Sequence, residues 1–135
     1  MRRPGRVTVG VDTTVHLDGR VYGKPRDADD AAEMLRALAG RTHTVLSGIC
    51  VLTDRAERVE HAETLVTFTR LADDAIAGYV ASGEWEGRAG GYAIQGLGGR
   101  LVERIEGDYL NVVGLPGALL LDLLEAEAPE LLRSV

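Results

Sequence analysis

The sequence predicts an α/β fold, in which a twisted sheet packs against flanking helices. Segments with apolar residues at every second position indicate strands, and segments with an apolar stripe at helical spacing indicate helices. The two kinds of segment are interspersed along the chain, as they are in α/β proteins. The 135 residues fit a single domain, residues 1–135, because a chain of this length buries roughly two thirds of its surface on folding.

Composition excludes several classes of protein. An apolar fraction of 45% with 27% charged residues is typical of a soluble globular chain and not of a disordered one. No apolar run is long enough to cross a bilayer, and the Arg-rich start leads into a strand-like segment, so we expect a cytoplasmic protein. The net charge of −6 argues against nucleic-acid or membrane partners. Cys50 is the single cysteine; it forms no intrachain disulfide, and we expect it to be buried.

The first predicted elements are a strand and a hairpin. Residues 7–12 alternate valine with small or polar residues, a period of two that predicts a strand ending at Asp12. Residues 14–17 and 20–22 flank an Asp-Gly pair, which predicts a second pair of strands joined by a tight turn.

Lys24 follows this hairpin directly. The chain contains fourteen arginines and one lysine, which indicates that lysine is generally avoided. A functional requirement for lysine would explain the exception at Lys24, and chance is the alternative. Pro25 biases Lys24 toward an extended backbone. We therefore expect the Lys24 side chain to return toward the strand end that carries Asp12.

The middle of the chain predicts two helices separated by a long antiparallel hairpin. The helices span residues 27–39 and 73–81, and the strands span residues 42–53 and 59–69. Asp27 and Gly40 are typical cap residues for the first helix, and Gly83 stops the second. The expected core positions are Ala31, Met34, Leu35 and Leu38 in the first helix and Ile76, Tyr79 and Val80 in the second.

Residues 83–99 contain seven glycines. Glycine at this density permits backbone shapes and close approach to a ligand that other residues prevent. A strand over residues 101–105, a turn over 106–108 and a terminal helix over 116–124 are predicted to follow. We expect the tail after Glu125 to fray.

Several common catalytic motifs are absent from the sequence, among them the phosphate-binding loop with its Gly-Lys-Ser/Thr ending, His-Glu-x-x-His and Gly-x-Ser-x-Gly. The three histidines, His16, His43 and His61, fall in or beside predicted strands. A partly exposed strand position explains each of them, and we assign none a catalytic role.

Five segments remain after these exclusions: GVDTTV (10–15), GKP (23–25), LAGRTH (38–43), RAGGYAIQG (88–96) and YLNVVGLP (109–116). Their order and spacing closely resemble the Maf family, from Val9 to Leu124. This resemblance implies an ITPase-like α/β fold of the Maf type, with a mixed twisted sheet and flanking helices. It also implies an enzyme that splits nucleoside triphosphates between the α and β phosphates.

The resemblance implies roles for five residues. Asp12 matches the proton acceptor, and a carboxylate there also suits a Mg²⁺ or Mn²⁺ ion. Lys24 matches a lysine that offsets charge growing on the leaving group. Thr13 and Gln95 match the base-reading residues of the branch selective for dTTP and UTP, where an amide offers both donor and acceptor to a pyrimidine edge. Arg88 is a candidate phosphate contact.

Structural alternatives stay open for these residues: a turn aspartate, a strand hydroxyl, a loop amide and a solvated loop arginine. Two further residues of the matching segments receive structural interpretations. Asn111 is expected to satisfy a turn, and Arg41 to be a surface charge.

Family members begin with a strand, a Ser-x-Ser-Pro-Arg-Arg loop that grips phosphate, and a helix. None of these is present in this sequence, so the resemblance predicts an N-terminally truncated relative whose exposed strand edge favours self-association. The leading functional hypothesis is hydrolysis of dTTP, UTP or a modified nucleotide to the monophosphate and pyrophosphate. The alternative is a catalytically impaired remnant that binds a nucleotide or a partner. Members of the family are often dimeric, so the resemblance is compatible with a homodimer, but the sequence does not determine the oligomeric state.

Overall fold

The structure, a computed structural model, describes residues 6–132 and confirms the α/β class. One five-stranded sheet has the strand order β2-β1-β3-β4-β5. Every pairing among the described strands is antiparallel, whereas the sequence predicted a mixed sheet. The elements are β1 (Thr8–Leu17), β2 (Arg20–Tyr22), α1 (Ala28–Leu38), β3 (Thr42–Leu52), β4 (Glu57–Phe68), α2 (Asp73–Ala81), β5 (Val102–Glu106), α3 (Tyr109–Val113) and α4 (Gly117–Glu127).

The prediction that the first strand ends at Asp12 is wrong. β1 continues to Leu17, because β3 pairs with it without interruption from Thr8 to His16 and the β-branched residues after Asp12 favour a strand. Asp12 therefore lies in the middle of β1, opposite Gly48. On its other side β1 pairs with β2 only over residues 15–17. Over residues 8–14 of β1, the edge that faces away from β3 therefore carries no neighbouring strand within residues 6–132.

Both predicted hairpins are confirmed. Asp18 and Gly19 adopt φ angles of 51° and 77°, the left-handed pair required by the tight turn between β1 and β2. Arg41, expected to be a surface charge, forms an exposed ion pair with Asp18. β3 and β4 form the long hairpin, with residues 53–56 at its turn.

The two central helices also match their predictions. Asp27 caps α1 by accepting a hydrogen bond from the Asp30 backbone N–H at 2.8 Å, which satisfies a donor that the first turn leaves free. The expected core face of α1 is buried at Ala31, Leu35 and Leu38. α2 spans residues 73–81 as predicted and buries Ile76 and Tyr79.

The C-terminal part departs from expectation in two ways. α3 was not predicted, since five residues are too few to show a helical apolar period. Its one local signal is Asp108, whose carboxylate accepts a hydrogen bond from the Leu110 backbone N–H at 2.9 Å. α4 continues to Glu127 and a 3-10 turn follows over Pro129–Leu131. The expectation of fraying after Glu125 is therefore wrong up to residue 132, and its last part, residues 133–135, lies outside the described residues.

Two apolar clusters lie on the same face of the sheet. The larger packs α1 and α2 against Val15 and Val45, and the smaller packs α4 against Ile49 and Val51. Side chains two residues apart on a strand share a face, so β3 contributes to both clusters. Residues of β3 that point to the other face, Cys50 among them, are half-buried. The expectation that Cys50 is buried is therefore wrong.

Within residues 6–132, no helix is long and apolar enough to cross a membrane.

Candidate functional site

A cleft of about 340 Å³ opens over the central part of β1 and β3. This volume lies at the lower end of the range found for small-molecule sites. The glycine-rich segment forms one wall, and the end of α3 with the loop after it forms another. The cleft is lined by Val11, Asp12, Thr13, Val15, Lys24, Val45, Gly87, Arg88, Ala89, Tyr92, Gln95, Val112, Val113, Gly114 and Leu115.

All five residues that the sequence singles out line this cleft. They come from β1, from the segment after β2 and from the glycine-rich segment: Asp12, Thr13, Lys24, Arg88 and Gln95. The fold thus brings together residues that are up to 83 positions apart in the sequence, the interval from 12 to 95. Their roles in binding and catalysis stay predictions.

Thr13 projects from the floor of the cleft. Its neighbour two residues on, Val15, belongs to the core, and strand alternation places both side chains on the same face. The Thr13 hydroxyl lies 2.8 Å from the hydroxyl of Ser47 on β3. Ser47 has no exposed surface. Sequence reasoning missed this partner, and only the register between β1 and β3 reveals it.

Asp12 occupies the margin of the cleft. Because it is adjacent to Thr13 on β1, alternation directs its side chain to the opposite side of the strand. This part of β1 has a free edge within residues 6–132, and Asp12 is exposed there. Its carboxylate forms no hydrogen bond or ion pair with another residue of that range, so it is available to a ligand.

Lys24 reaches the same cleft from the end of the first hairpin. The Gly23 carbonyl accepts a hydrogen bond from the Gly90 backbone N–H at 3.1 Å, which ties the segment after β2 to the glycine-rich wall. Lys24 and Arg88 form no ion pair with any carboxylate of residues 6–132. Two cationic side chains therefore face the cleft without an internal counter-charge, as an anion site requires.

Glycine is required where the wall meets the sheet. Gly90 has a φ of +74°, and a Cβ there would lie 2.9 Å from a methyl group of Val15. A side chain at this position would be strained in its backbone and would overlap the core.

Two hydrogen bonds, one buried and one exposed, hold the part of the wall that carries Gln95. The Tyr79 hydroxyl oxygen accepts a hydrogen bond from the Ala93 backbone N–H at 2.8 Å. The Glu84 carboxylate accepts another from the Leu97 backbone N–H at 2.9 Å. These bonds fix the backbone on both sides of Gln95, whose side chain is exposed toward the cleft.

His43 was expected to be partly exposed, and this is wrong. It is 1% exposed because β3 crosses the larger apolar cluster, where its ring packs edge-on against Phe68 and Tyr92. Its Nε2 lies 2.7 Å from the Tyr92 hydroxyl. Burial lowers the pKa of His43 to about 4, so the ring is neutral near pH 7. Through its contact with Tyr92, which lines the cleft, the ring also stabilises that wall from the side of the core. His16 is half-buried and His61 is exposed.

Asn111 was expected to satisfy a turn, but it joins α3 to the sheet. It is fully buried. Its amide nitrogen donates to the carbonyl oxygens of Val45 and Ala62, at 3.2 and 3.3 Å, and to the Thr64 hydroxyl at 3.0 Å. The following residues line the cleft, so Asn111 positions that wall.

The donor set at the cleft limits the kind of metal ion it suits. Within residues 6–132, no group of three or more His, Cys, Asp or Glu side chains could hold a metal. Magnesium is commonly bound by one or two carboxylates together with the phosphates of a substrate. The single carboxylate of Asp12 fits an ion that shares its ligands with a bound nucleotide.

Comparison with known proteins gives concordant matches. The chain is 46% identical over 123 residues to a dTTP/UTP pyrophosphatase of Pyrococcus furiosus, covering 90% of this chain and 64% of that protein. It is 51% identical over 124 residues to one of Syntrophotalea carbinolica, covering 90% and 56%. It is also 52% identical over 121 residues to one of Nitratidesulfovibrio vulgaris, covering 89% and 58%. The chain thus spans about three fifths of the length of these curated relatives.

The model of one protein family, described as Maf-like protein, matches residues 1–127. This match includes β1, the glycine-rich wall and α3, and so every residue that lines the cleft. The chain therefore belongs to the Maf family.

Proposed function

We propose that this chain acts as a nucleoside triphosphate pyrophosphatase, which hydrolyses dTTP or UTP to the monophosphate and pyrophosphate. One observation carries the proposal: a single cleft is lined by a carboxylate and two cations that form no ion pair within residues 6–132, and by a hydroxyl and an amide able to read a base. The relatives named above bear the names of dTTP/UTP pyrophosphatases, which supports this choice of substrate.

The geometry favours one orientation of the nucleotide. The base lies on the floor between Thr13 and Gln95, where a hydroxyl and an amide meet its polar edge. The triphosphate then extends from the floor toward the margin, and Lys24 and Arg88, which also line the cleft, supply positive charge to it. Asp12 lies at that margin, so the reacting phosphate passes next to the free edge of β1.

In the proposed reaction Asp12 accepts a proton from a water molecule as the water oxygen attacks the α phosphorus. The bond from that phosphorus to the oxygen bridging to the β phosphate breaks, and pyrophosphate leaves with the bond's electron pair. Lys24 stabilises the charge that grows on this leaving group. A magnesium or manganese ion held by Asp12 and the phosphates would supply further positive charge.

The finer assignments of the fold and the setting belong to the same proposal. They are an ITPase-like arrangement of the sheet and its flanking helices, a cytoplasmic location and a homodimer. Each of these rests on the family resemblance and on the composition of the chain.

Nucleotide binding without turnover is the second candidate. It is favoured by the small number of cations, since only Lys24 and Arg88 line the cleft within residues 6–132, whereas a triphosphate carries several negative charges. In this case the chain would hold a nucleotide or a partner and release no pyrophosphate.

Product analysis separates the two candidates. The purified chain is incubated with UTP, dTTP, CTP or ATP and Mg²⁺ or Mn²⁺, and nucleotides and pyrophosphate are quantified by chromatography. The proposal expects monophosphate and pyrophosphate in equal amounts, with UTP and dTTP preferred. Release of diphosphate and inorganic phosphate would contradict it, and binding without any product would favour the second candidate.

A further inference from the structure

Ser47 does not line the cleft, but its hydroxyl contacts the hydroxyl of Thr13, which does. The Ser47 side chain has no exposed surface. The two hydroxyl oxygens lie 2.8 Å apart. Within residues 6–132, the Ser47 hydroxyl has no other hydrogen-bond partner.

This isolation determines which hydroxyl donates. The pair shares one hydrogen bond, so one proton lies between the oxygens and the other points elsewhere. If Thr13 donated, the Ser47 proton would be buried without an acceptor, which is an unfavourable arrangement. If Ser47 donates, its buried proton has an acceptor in the Thr13 oxygen, and the Thr13 proton is free to point into the cleft. The arrangement with Ser47 as donor is therefore favoured.

We propose that Ser47 is a positioning residue that fixes Thr13 as a hydrogen-bond donor toward the base and so selects uracil or thymine over cytosine. The proposal rests on the proposed function. Thymine and uracil carry a carbonyl acceptor at the position where cytosine carries an amino donor. Accepting from Ser47 occupies one of the two lone pairs of the Thr13 oxygen and leaves its proton for the ligand. The hydroxyl therefore donates to the carbonyl of uracil more readily than it accepts from the amino group of cytosine. The Gln95 amide offers both a donor and an acceptor, and it discriminates less by itself because it can turn over.

The test measures selectivity and not only activity. Dissociation constants for non-hydrolysable analogues of UTP and CTP are determined by calorimetry for the wild-type chain and for Ser47→Ala. Without Ser47, both lone pairs of the Thr13 oxygen are free and its proton is no longer biased toward the cleft, so the hydroxyl accepts from cytosine more readily. The preference for UTP over CTP should then fall about tenfold, the change that corresponds to one hydrogen bond of ordinary net strength. Ser47→Thr retains the hydroxyl and should retain the preference.

A second background separates an effect through Thr13 from a general structural effect. Thr13→Val has nearly the same shape as the wild type and lacks the hydroxyl, so it should lower the preference by itself. Adding Ser47→Ala to Thr13→Val should then change the preference no further. Thermal melting of each variant checks that it is folded. If Ser47→Ala does not fold, Ser47→Cys replaces the hydroxyl with a weaker S–H donor and should lower the preference in the same direction.

Three results would overturn the inference. One is an unchanged preference in folded Ser47→Ala, another is the same tenfold loss when Ser47→Ala is made in the Thr13→Val background, and the third is an unchanged preference in Thr13→Val. A wild-type chain that binds UTP no more tightly than CTP and releases no pyrophosphate would overturn the proposed function as well. The wild-type measurement therefore distinguishes the two failures.

Discussion

Asp12 and Thr13 are adjacent in the sequence but serve different parts of the cleft. Strand alternation directs the Thr13 hydroxyl to the floor of the cleft and the Asp12 side chain to the opposite face of β1. The edge of β1 at Asp12 carries no neighbouring strand within residues 6–132. A nucleotide bound as proposed bridges these two places, with its base on the sheet and its phosphates at the edge. Two consecutive residues of one strand can in this way read the base and activate the water.

The buried ring of His43 makes a residue-level prediction about pH. The pKa of His43 falls from its ordinary value of 6.5 to about 4 on burial, so between these values the unfolded chain binds the proton and the folded chain does not. Proton uptake by the unfolded chain therefore lowers the free energy of unfolding as the pH falls from 6.5 toward 4, by about 3 kcal/mol in total, and has no effect above pH 6.5. Urea denaturation at a series of pH values measures it.

His43→Gln is the control for this prediction. A glutamine does not titrate in this range, and its amide can still hydrogen-bond to the Tyr92 hydroxyl. The pH dependence between 6.5 and 4 should therefore be weaker in the variant than in the wild type. Equal slopes in the two proteins would show that His43 is not the group responsible.

At the scale of elements, the buried side chain of Asn111 connects α3 to the sheet. The Asn111 amide donates to two carbonyl oxygens and a hydroxyl on β3 and β4. Asn111→Ala should lower the free energy of unfolding by about 2–3 kcal/mol, since these buried acceptors lose their donor. Asn111→Asp has the same shape but a carboxylate in place of the donor, so it should cost at least as much. Denaturant titration that finds Asn111→Asp as stable as the wild type would refute this role.

The glycine-rich wall makes a second prediction at this scale. Gly90→Ala should lower stability by about 1–3 kcal/mol, because its φ is +74° and its Cβ would meet Val15 at 2.9 Å. Gly78→Ala is the matched change in α2, where a Cβ meets nothing within 4 Å, and it should raise stability by about 0.5–1 kcal/mol. Thermal denaturation of both variants tests the pair, and shifts in the same direction would contradict it.

The elements show what sequence patterns can and cannot predict. α1 and α2 were predictable because their caps and apolar stripes are local signals. β1 was divided incorrectly at Asp12 because its continuity depends on β3, which lies some thirty residues further along the chain. The burial of His43, and the partners of Asn111 and Ser47, follow from strand register, which no local pattern specifies.

At the scale of the whole molecule, β3 joins two apolar clusters of unequal size. The larger contains α1 and α2 and the smaller contains α4. The cleft uses the stretch of β1 and β3 that includes Thr13 and Ser47, near the boundary between the clusters. Segment order along the sequence was enough to identify the cleft residues through the family resemblance. Their convergence on one cleft depends on the complete sheet.

The most direct test of the proposed catalytic centre compares Asp12→Asn with the wild-type chain. Pyrophosphate release from UTP is measured with Mg²⁺, and Asp54→Asn, in the exposed turn between β3 and β4, is the matched control. Loss of the proton acceptor should lower the rate by roughly a hundredfold or more, while Asp54→Asn keeps the wild-type rate. Equal rates of pyrophosphate release from Asp12→Asn and from the wild-type chain would contradict the assignment of Asp12 as the catalytic residue.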